Sequence, residues 1–193
     1  MEQIVVSKWW IHYKDFFGTT EENIDLDTFL QELRPLCETY QVKVFGKEYE
    51  SKRVSTTFKS EGKINHNYYS TFASRPWEES PTVVKIRDIL LEHLDEEFDY
   101  CLAHIYRDGK DKIDWHADKE AMKSIVVSIS FGATRKFRFR EIGQKSGYSH
   151  ELILQHGDMV IMKEGCQKRY QHCIPCEKTV KTPRINLTFR KYE

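Results

Sequence analysis

The residue types best suited to chemistry sit together in Ile113-Asp114-Trp115-His116-Ala117-Asp118. On an extended segment, side chains two apart share a face, so His116 and Asp118 lie side by side. An imidazole beside a carboxylate is half of a metal site. Two histidines and one carboxylate leave the opposite coordination positions open, the arrangement that suits a non-haem Fe(II) centre. Such a site needs a second histidine from elsewhere. Alone, His116-x-Asp118 also suits a solvated face or a histidine bonded to its neighbour.

A second stretch, Arg184-Ile185-Asn186-Leu187-Thr188-Phe189-Arg190, alternates strictly. Ile185, Leu187 and Phe189 form an apolar face, and Arg184, Asn186, Thr188 and Arg190 a polar one. On a surface strand that polar face would simply be wet. It also suits a dianion held lengthwise. The two arginines stand about 20 Å apart along a strand, so their arms must lean inward, each gripping one carboxylate in a fork.

These residues resemble the AlkB family of iron- and 2-oxoglutarate-dependent dioxygenases. The resemblance rests on His116-x-Asp118, His172 and Arg184-x-Asn186-x-Thr188-x-Arg190 in that order, with Tyr106-Arg107-Asp108-Gly109 before them. Ser130-Phe131-Gly132-Ala133-Thr134-Arg135-Lys136-Phe137 and the run from Pro183 to Arg190 add long literal matches. It spans about residues 35–191. Spacing alone leaves His150, His156 and His172 open as the distal ligand; the resemblance favours His172, ahead of Ile174-Pro175, and reads His156 as a structural turn.

The resemblance implies Fe(II) held by His116, Asp118 and His172, which also form the catalytic centre. 2-Oxoglutarate would meet Arg184 and Tyr106 at its far carboxylate, with Arg190 near its chelating end. Asn186 and Thr188 would hold the arginines and the co-substrate. O₂ is the other reactant, and the products are succinate, CO₂, an aldehyde and the restored base. Alkylated DNA or RNA is the implied partner. Glu120 would accept a hydrogen bond from the exocyclic nitrogen of 1-methyladenine or 3-methylcytosine; otherwise it is a surface charge beside Lys119. Phe45 and Gly46 resemble a wedge at the tip of a substrate lid, or else belong to a plain hairpin. Tyr69, or Tyr68 in its place, resembles the aromatic that stacks on the flipped base. One departure is His104, where the family usually has Asn. Its imidazole, neutral or charged, can donate to a carboxylate, compete for the metal, or mark a chain that no longer turns over. If charged, it would make co-substrate affinity fall as pH rises past about 6.5.

The elements that must position these groups are mostly strands. An Asp-capped helix over about 25–34 carries Leu26, Phe29, Leu30 and Leu33 on one stripe and ends at Pro35. Strand-like runs cover 41–46 and 53–58. Ser80 and Pro81 start a second helix that runs to about Glu96, with Val83, Ile86, Leu90 and Leu94 inward. Eight strands follow: 99–106, 112–116, 124–131, 135–140, 150–154, 158–162, 168–172 and 184–190. The apolar-aromatic segment Ile4–Phe17 is expected only to cover one edge of the core. The fold class is α+β, mainly β. With the resemblance it is a double-stranded β-helix, or jelly roll, with N-terminal helices and a substrate lid. A single domain over 1–193 is expected, with 41–72 as the lid and 99–191 as the catalytic core.

The formal net charge over 193 residues is zero, so bulk charge does not point to nucleic acid. Arg135, Lys136, Arg138 and Arg140 still offer a local basic face. Five irregularly spaced cysteines and the absence of a signal-like or 18-residue apolar run favour a soluble, intracellular chain with reduced thiols. A monomer is expected, and a zinc site at Cys166, Cys173 and Cys176 is not. The leading function is oxidative dealkylation of bases. The alternatives are the same chemistry on a protein or small molecule, and an inactive nucleic-acid-binding relative.

Overall fold

The computed structural model describes residues 3–18, 23–44, 47–51, 53–60 and 74–191. The chain opens with β1 (Gln3–Val6) and β2 (Trp10–Lys14), then helix α1 (Leu26–Leu33). A hairpin of β3 (Gln41–Val44) and β4 (Lys47–Glu50) precedes β5 (Val54–Lys59) and β6 (Ser74–Pro76). Helix α2 (Pro81–Leu94) leads to β7 (Tyr100–Tyr106), β8 (Ile113–His116), β9 (Val126–Gly132) and β10 (Arg135–Glu141). Next come β11 (His150–Leu154), β12 (Met159–Met162), the single turn α3 (Cys166–Arg169), β13 (Tyr170–Ile174) and β14 (Arg184–Arg190).

Eight strands make the larger sheet, in the order β1-β2-β12-β9-β14-β7-β5-β6, and four make the smaller, β11-β10-β13-β8. The pair is a double-stranded β-helix, as expected. The alternation of β14 decides which side faces what. Ile185, Leu187 and Phe189 join a core with Phe29 and Leu33 of α1 and Ile86 and Leu90 of α2. The opposite face of the large sheet meets the small sheet through Trp10, Tyr106, Val126, Phe137, Phe139 and Val160. Arg184, Asn186, Thr188 and Arg190 are therefore buried between the sheets.

Both helices start where capping chemistry places them. Asp25 accepts from the Thr28 amide at 2.9 Å, and Ser80 from the Val83 amide at 3.2 Å. Glu32 of α1 accepts from the Ser80 hydroxyl and from the Thr82 hydroxyl at 2.6 Å. One carboxylate thus ties the helices together.

Three findings differ from the expectations. The N-terminal segment does more than cover an edge: β2 extends the large sheet by pairing with β12. Buried Asp158 clasps it, bonding His12 Nε2 at 2.8 Å and accepting from the Asp15 amide at 2.8 Å. Residues 54–59, inside the stretch expected as a lid, are a strand of the large sheet paired with β7, because Ser55, Thr56, Thr57 and Phe58 are all buried. Finally, Arg135 is not part of a basic face. It is one of the largest fully buried side chains, donating to the carbonyls of Asp111 at 2.9 Å and Pro175 at 2.7 Å, and to Glu177 at 3.1 Å. Lys136, Arg138 and Arg140 do alternate outward, with Arg138 bonded to Glu151 at 2.7 Å.

Arg135 pins the turn before β8 to the segment after β13, the two strands that carry the candidate metal ligands. Removing it strands buried carbonyls and a carboxylate. Arg135→Met is expected to lower stability by about 3 kcal/mol, measurable as a shift of the urea midpoint. A change under about 0.5 kcal/mol would contradict the clasp.

Candidate metal centre

β8 and β13 run antiparallel, and His172 stands directly opposite His116. Their ring centroids are 4.2 Å apart, and Phe137 stacks on the outer side of His172 at 5.3 Å. Asp118 follows β8. Its Oδ1 lies 3.8 Å from His116 Nε2, and its Oδ2 lies 3.8 Å from His172 Nε2. Among the described residues these three form the one cluster able to hold a metal, their ligand atoms all within 4.8 Å of one another. His150 instead packs edge-on against Trp10, and His156 accepts from the Gly132 amide. The cysteines are free.

The surroundings prepare these groups for a cation. His116 Nδ1 lies 2.8 Å from the Asp114 carbonyl; a carbonyl only accepts, so Nδ1 carries the proton and Nε2 keeps its lone pair on the Asp118 side. Burial holds the His172 pKa down to about 3 and lowers that of His116, so both rings are neutral ligands. Burial alone would raise the Asp118 pKa, but the charge of Arg190 and its hydrogen bond hold it below the usual carboxylate range. The Asp118 amide is tied to the Gln167 side chain at 3.0 Å. Arg190 donates to Asp118 Oδ1 at 2.9 Å. Oδ2 is buried with no hydrogen-bond partner in the structure. A buried carboxylate with one oxygen unbonded, beside two neutral imidazoles of which His116 turns its lone pair toward it, is what a divalent ion would satisfy, so the residues fit Fe(II).

A small cavity adjoins the cluster, lined among others by His104, Tyr106, His116, His172, Asn186, Thr188 and Arg190. Arg184 lies against the Tyr106 ring, its guanidinium 5.1 Å from the ring centre. One Nη donates to Ser130 at 2.9 Å, while Nε and the other Nη are buried without partners. Burial pushes its pKa down to about 10. It is a buried cation with two donors to spare, fit for a carboxylate.

Several expected roles need correction. Arg190 does grip carboxylates, but they belong to the protein: Asp118, and Glu120 at 2.9 Å. Glu120 is thus an ion-paired group, not a surface charge. Asn186 and Thr188 do not bond the arginines. Asn186 donates to Ser128 and to the Ile129 carbonyl, both at 2.9 Å, and Thr188 Oγ1 lies 3.5 Å from Asn186 Oδ1. His104 does line the cavity, as a neutral ring: burial and the charge of Arg53 keep its pKa well below the ordinary value. The charged-imidazole expectation is set aside. Phe45, Gly46, Tyr68 and Tyr69 lie outside the described residues.

Sequence reasoning missed Gln167, Arg53, Ser128 and Ser130. The serines were legible as alternate positions on β9 facing β14. Nothing in the local sequence marks Gln167 or Arg53.

Comparison with known proteins agrees with the geometry. The 2OG-Fe(II) oxygenase superfamily matches residues 10–190. The DNA oxidative demethylase ALKBH2 of Bos taurus is 32% identical, over 93% of this chain and 67% of the relative. This chain belongs to the AlkB family. The alpha-ketoglutarate-dependent dioxygenase alkB homolog 3 of Bos taurus is 35% identical over 57% of this chain and 42% of its own length. The solved structure of OsALKBH1 shares the fold, with a TM-score of 0.63 at 17% identity, covering 98% of this chain and 100% of that one. The protein is an Fe(II)- and 2-oxoglutarate-dependent dioxygenase. Among the described residues, no helix is long and apolar enough to cross a membrane.

The neutral state of His104 has a consequence for stability. Its pKa is depressed on folding, so the unfolded chain binds a proton first as pH falls. The stability tied to its neutrality is complete above about 6.5 and declines as pH drops below that value, by up to about 1.4 kcal/mol per pH unit. His104→Asn is expected to flatten this decline in urea unfolding between about pH 7 and 5. Equal slopes in mutant and parent would contradict a buried neutral ring.

Proposed function

We propose that the protein removes N-alkyl groups from nucleic-acid bases of the 1-methyladenine and 3-methylcytosine type. The observation that carries this reading is the His116–Asp118–His172 cluster on one cavity with Tyr106, against whose ring lies a buried arginine, Arg184, with unused donors. The likeness to a DNA oxidative demethylase over most of the chain supports the substrate class.

His116, Asp118 and His172 would hold the iron. Arg184 would take the distal carboxylate of 2-oxoglutarate, with Tyr106 and His104 as further donors. The bound iron, with 2-oxoglutarate and O₂, supplies oxidation of the alkyl carbon, the co-substrate leaving as succinate and CO₂. The chain's part is to bind, orient and exclude water. Arg190 fixes Asp118 and Glu120 together, so Glu120 is held at the edge of the metal cluster. From there it would accept from the exocyclic amino group, and its charge would favour the cationic form of both lesions. Once the alkyl carbon is hydroxylated, the hemiaminal loses aldehyde and the base is restored. A base inside a duplex must first leave the stack. Phe45 with Gly46, as a wedge, and Tyr69 or Tyr68, as a stacking partner, are assigned here from the family resemblance.

Mass spectrometry of oligonucleotides carrying a single 1-methyladenine, after incubation with Fe(II), 2-oxoglutarate and ascorbate, tests this directly. The parent is expected to restore adenine, and Arg184→Leu to need at least about tenfold more 2-oxoglutarate, because an unpaired buried charge costs about 2–5 kcal/mol. Succinate formed without restored base would move the chemistry to another substrate. No succinate at all would leave an inactive relative.

A further inference from the structure

His104 stands on the central strand β7, opposite Ser55 of β5 on one side and Asn186 of β14 on the other. It is 3% exposed and lines the cavity beside the metal cluster. The family from which it departs usually has Asn there. The exchange has a chemical price that can be named. An amide nitrogen is always a donor. A neutral imidazole donates from one nitrogen only, and which one depends on the tautomer.

The surroundings of Nδ1 decide that question. Arg53 Nε donates to His104 Nδ1 at 3.4 Å. A guanidinium has no acceptor, so Nδ1 must present a lone pair. The Ser55 hydroxyl lies 2.5 Å from the same nitrogen and, being able to donate, joins on the same terms. The proton is therefore on Nε2. Arg53 is itself anchored. Its Nη1 donates to the Lys112 carbonyl at 3.2 Å, immediately before β8, and its guanidinium lies 5.7 Å from the centre of the Tyr40 ring.

We infer that Arg53 is a positioning residue that locks His104 in the Nε2-protonated tautomer, making His104 a hydrogen-bond donor to the dicarboxylate co-substrate in the cavity. The lock takes the place of an amide. It also ties the segment before β5 to the start of β8, so that a residue outside the cavity sets the polarity of its wall. This inference rests on the co-substrate reading proposed above and adds Arg53 to it.

The test combines a spectroscopic signature with a thermodynamic cycle. Long-range proton–nitrogen correlation spectra of histidine-labelled protein report the tautomer of each ring. The His104 signal, assigned by its loss in His104→Asn, is expected to be Nε2-protonated in the parent and mixed in Arg53→Met. Calorimetric titration with 2-oxoglutarate, using Mn(II) in place of Fe(II), gives affinity without turnover. Arg53→Met should weaken binding about tenfold when His104 is present, the loss expected for one hydrogen bond to a charged group. It should leave binding unchanged in the His104→Asn background, where no tautomer needs fixing. An Nδ1-protonated ring in the parent would overturn the inference. So would equal losses in both backgrounds, which would also be the result if Arg53→Met merely damaged the fold. No binding of 2-oxoglutarate by the parent would instead overturn the co-substrate reading together with the lock.

Discussion

The structure depends on a carboxylate that has been taken out of water. Asp118 is 2% exposed, and an isolated buried charge is too costly to persist. Its neighbours offset that cost in stages. Arg190 neutralises one oxygen, Gln167 fixes the backbone beneath it, and two neutral imidazoles face it. One oxygen still has no hydrogen-bond partner, and His116 has a lone pair rather than a proton on its Asp118 side. A divalent cation held by the three ligands would resolve that imbalance. The pairing of β8 with β13, and the Arg135 clasp behind it, hold the three groups in place.

A second imbalance of opposite sign lies further along β14. Arg184 is 1% exposed. It is buried against Tyr106 and held by Ser130, but no carboxylate among the described residues forms an ion pair with it. The two arginines at the ends of this strand are thus unequal, though the sequence pattern treats them alike. Arg190 completes the metal cluster by joining Asp118 to Glu120. Arg184 keeps two buried donors unused. A dicarboxylate that chelates a metal at one end and meets Arg184 at the other would correct both imbalances at once. Both histidines and both arginines sit on paired strands, with Asp118 two residues past the end of one of them.

How much of this could be read from the chain follows from how local each signal is. β14, β11 and both helix starts were legible because period, capping residues and proline act within a few residues. The pairing of His172 with His116 came from a family pattern, since eight histidines offer too many choices. β4 was missed because Lys47–Glu50 has no apolar alternation; the hairpin with β3 makes it a strand. The buried roles of Arg135, Gln167 and Arg53 were not legible. Each is defined by carbonyls, amides or a ring far away in sequence, and an arginine destined for burial looks like any other. The unequal fates of Arg184 and Arg190 were hidden for the same reason: the deciding carboxylates, Asp118 and Glu120, come from a different strand's end.

The central claim is that one site takes a metal and a 2-oxo acid together. Linkage makes this measurable without turnover: if 2-oxoglutarate binds partly through the metal, each must strengthen the other by the same factor. Under anaerobic conditions, equilibrium dialysis of the protein with Fe(II) and 2-oxoglutarate is the direct measurement. The expected result is one of each per chain, mutual strengthening of at least about tenfold, and loss of both the metal and the strengthening in Asp118→Ala. Binding of 2-oxoglutarate that is indifferent to Fe(II), or iron retained undiminished by Asp118→Ala, would contradict it.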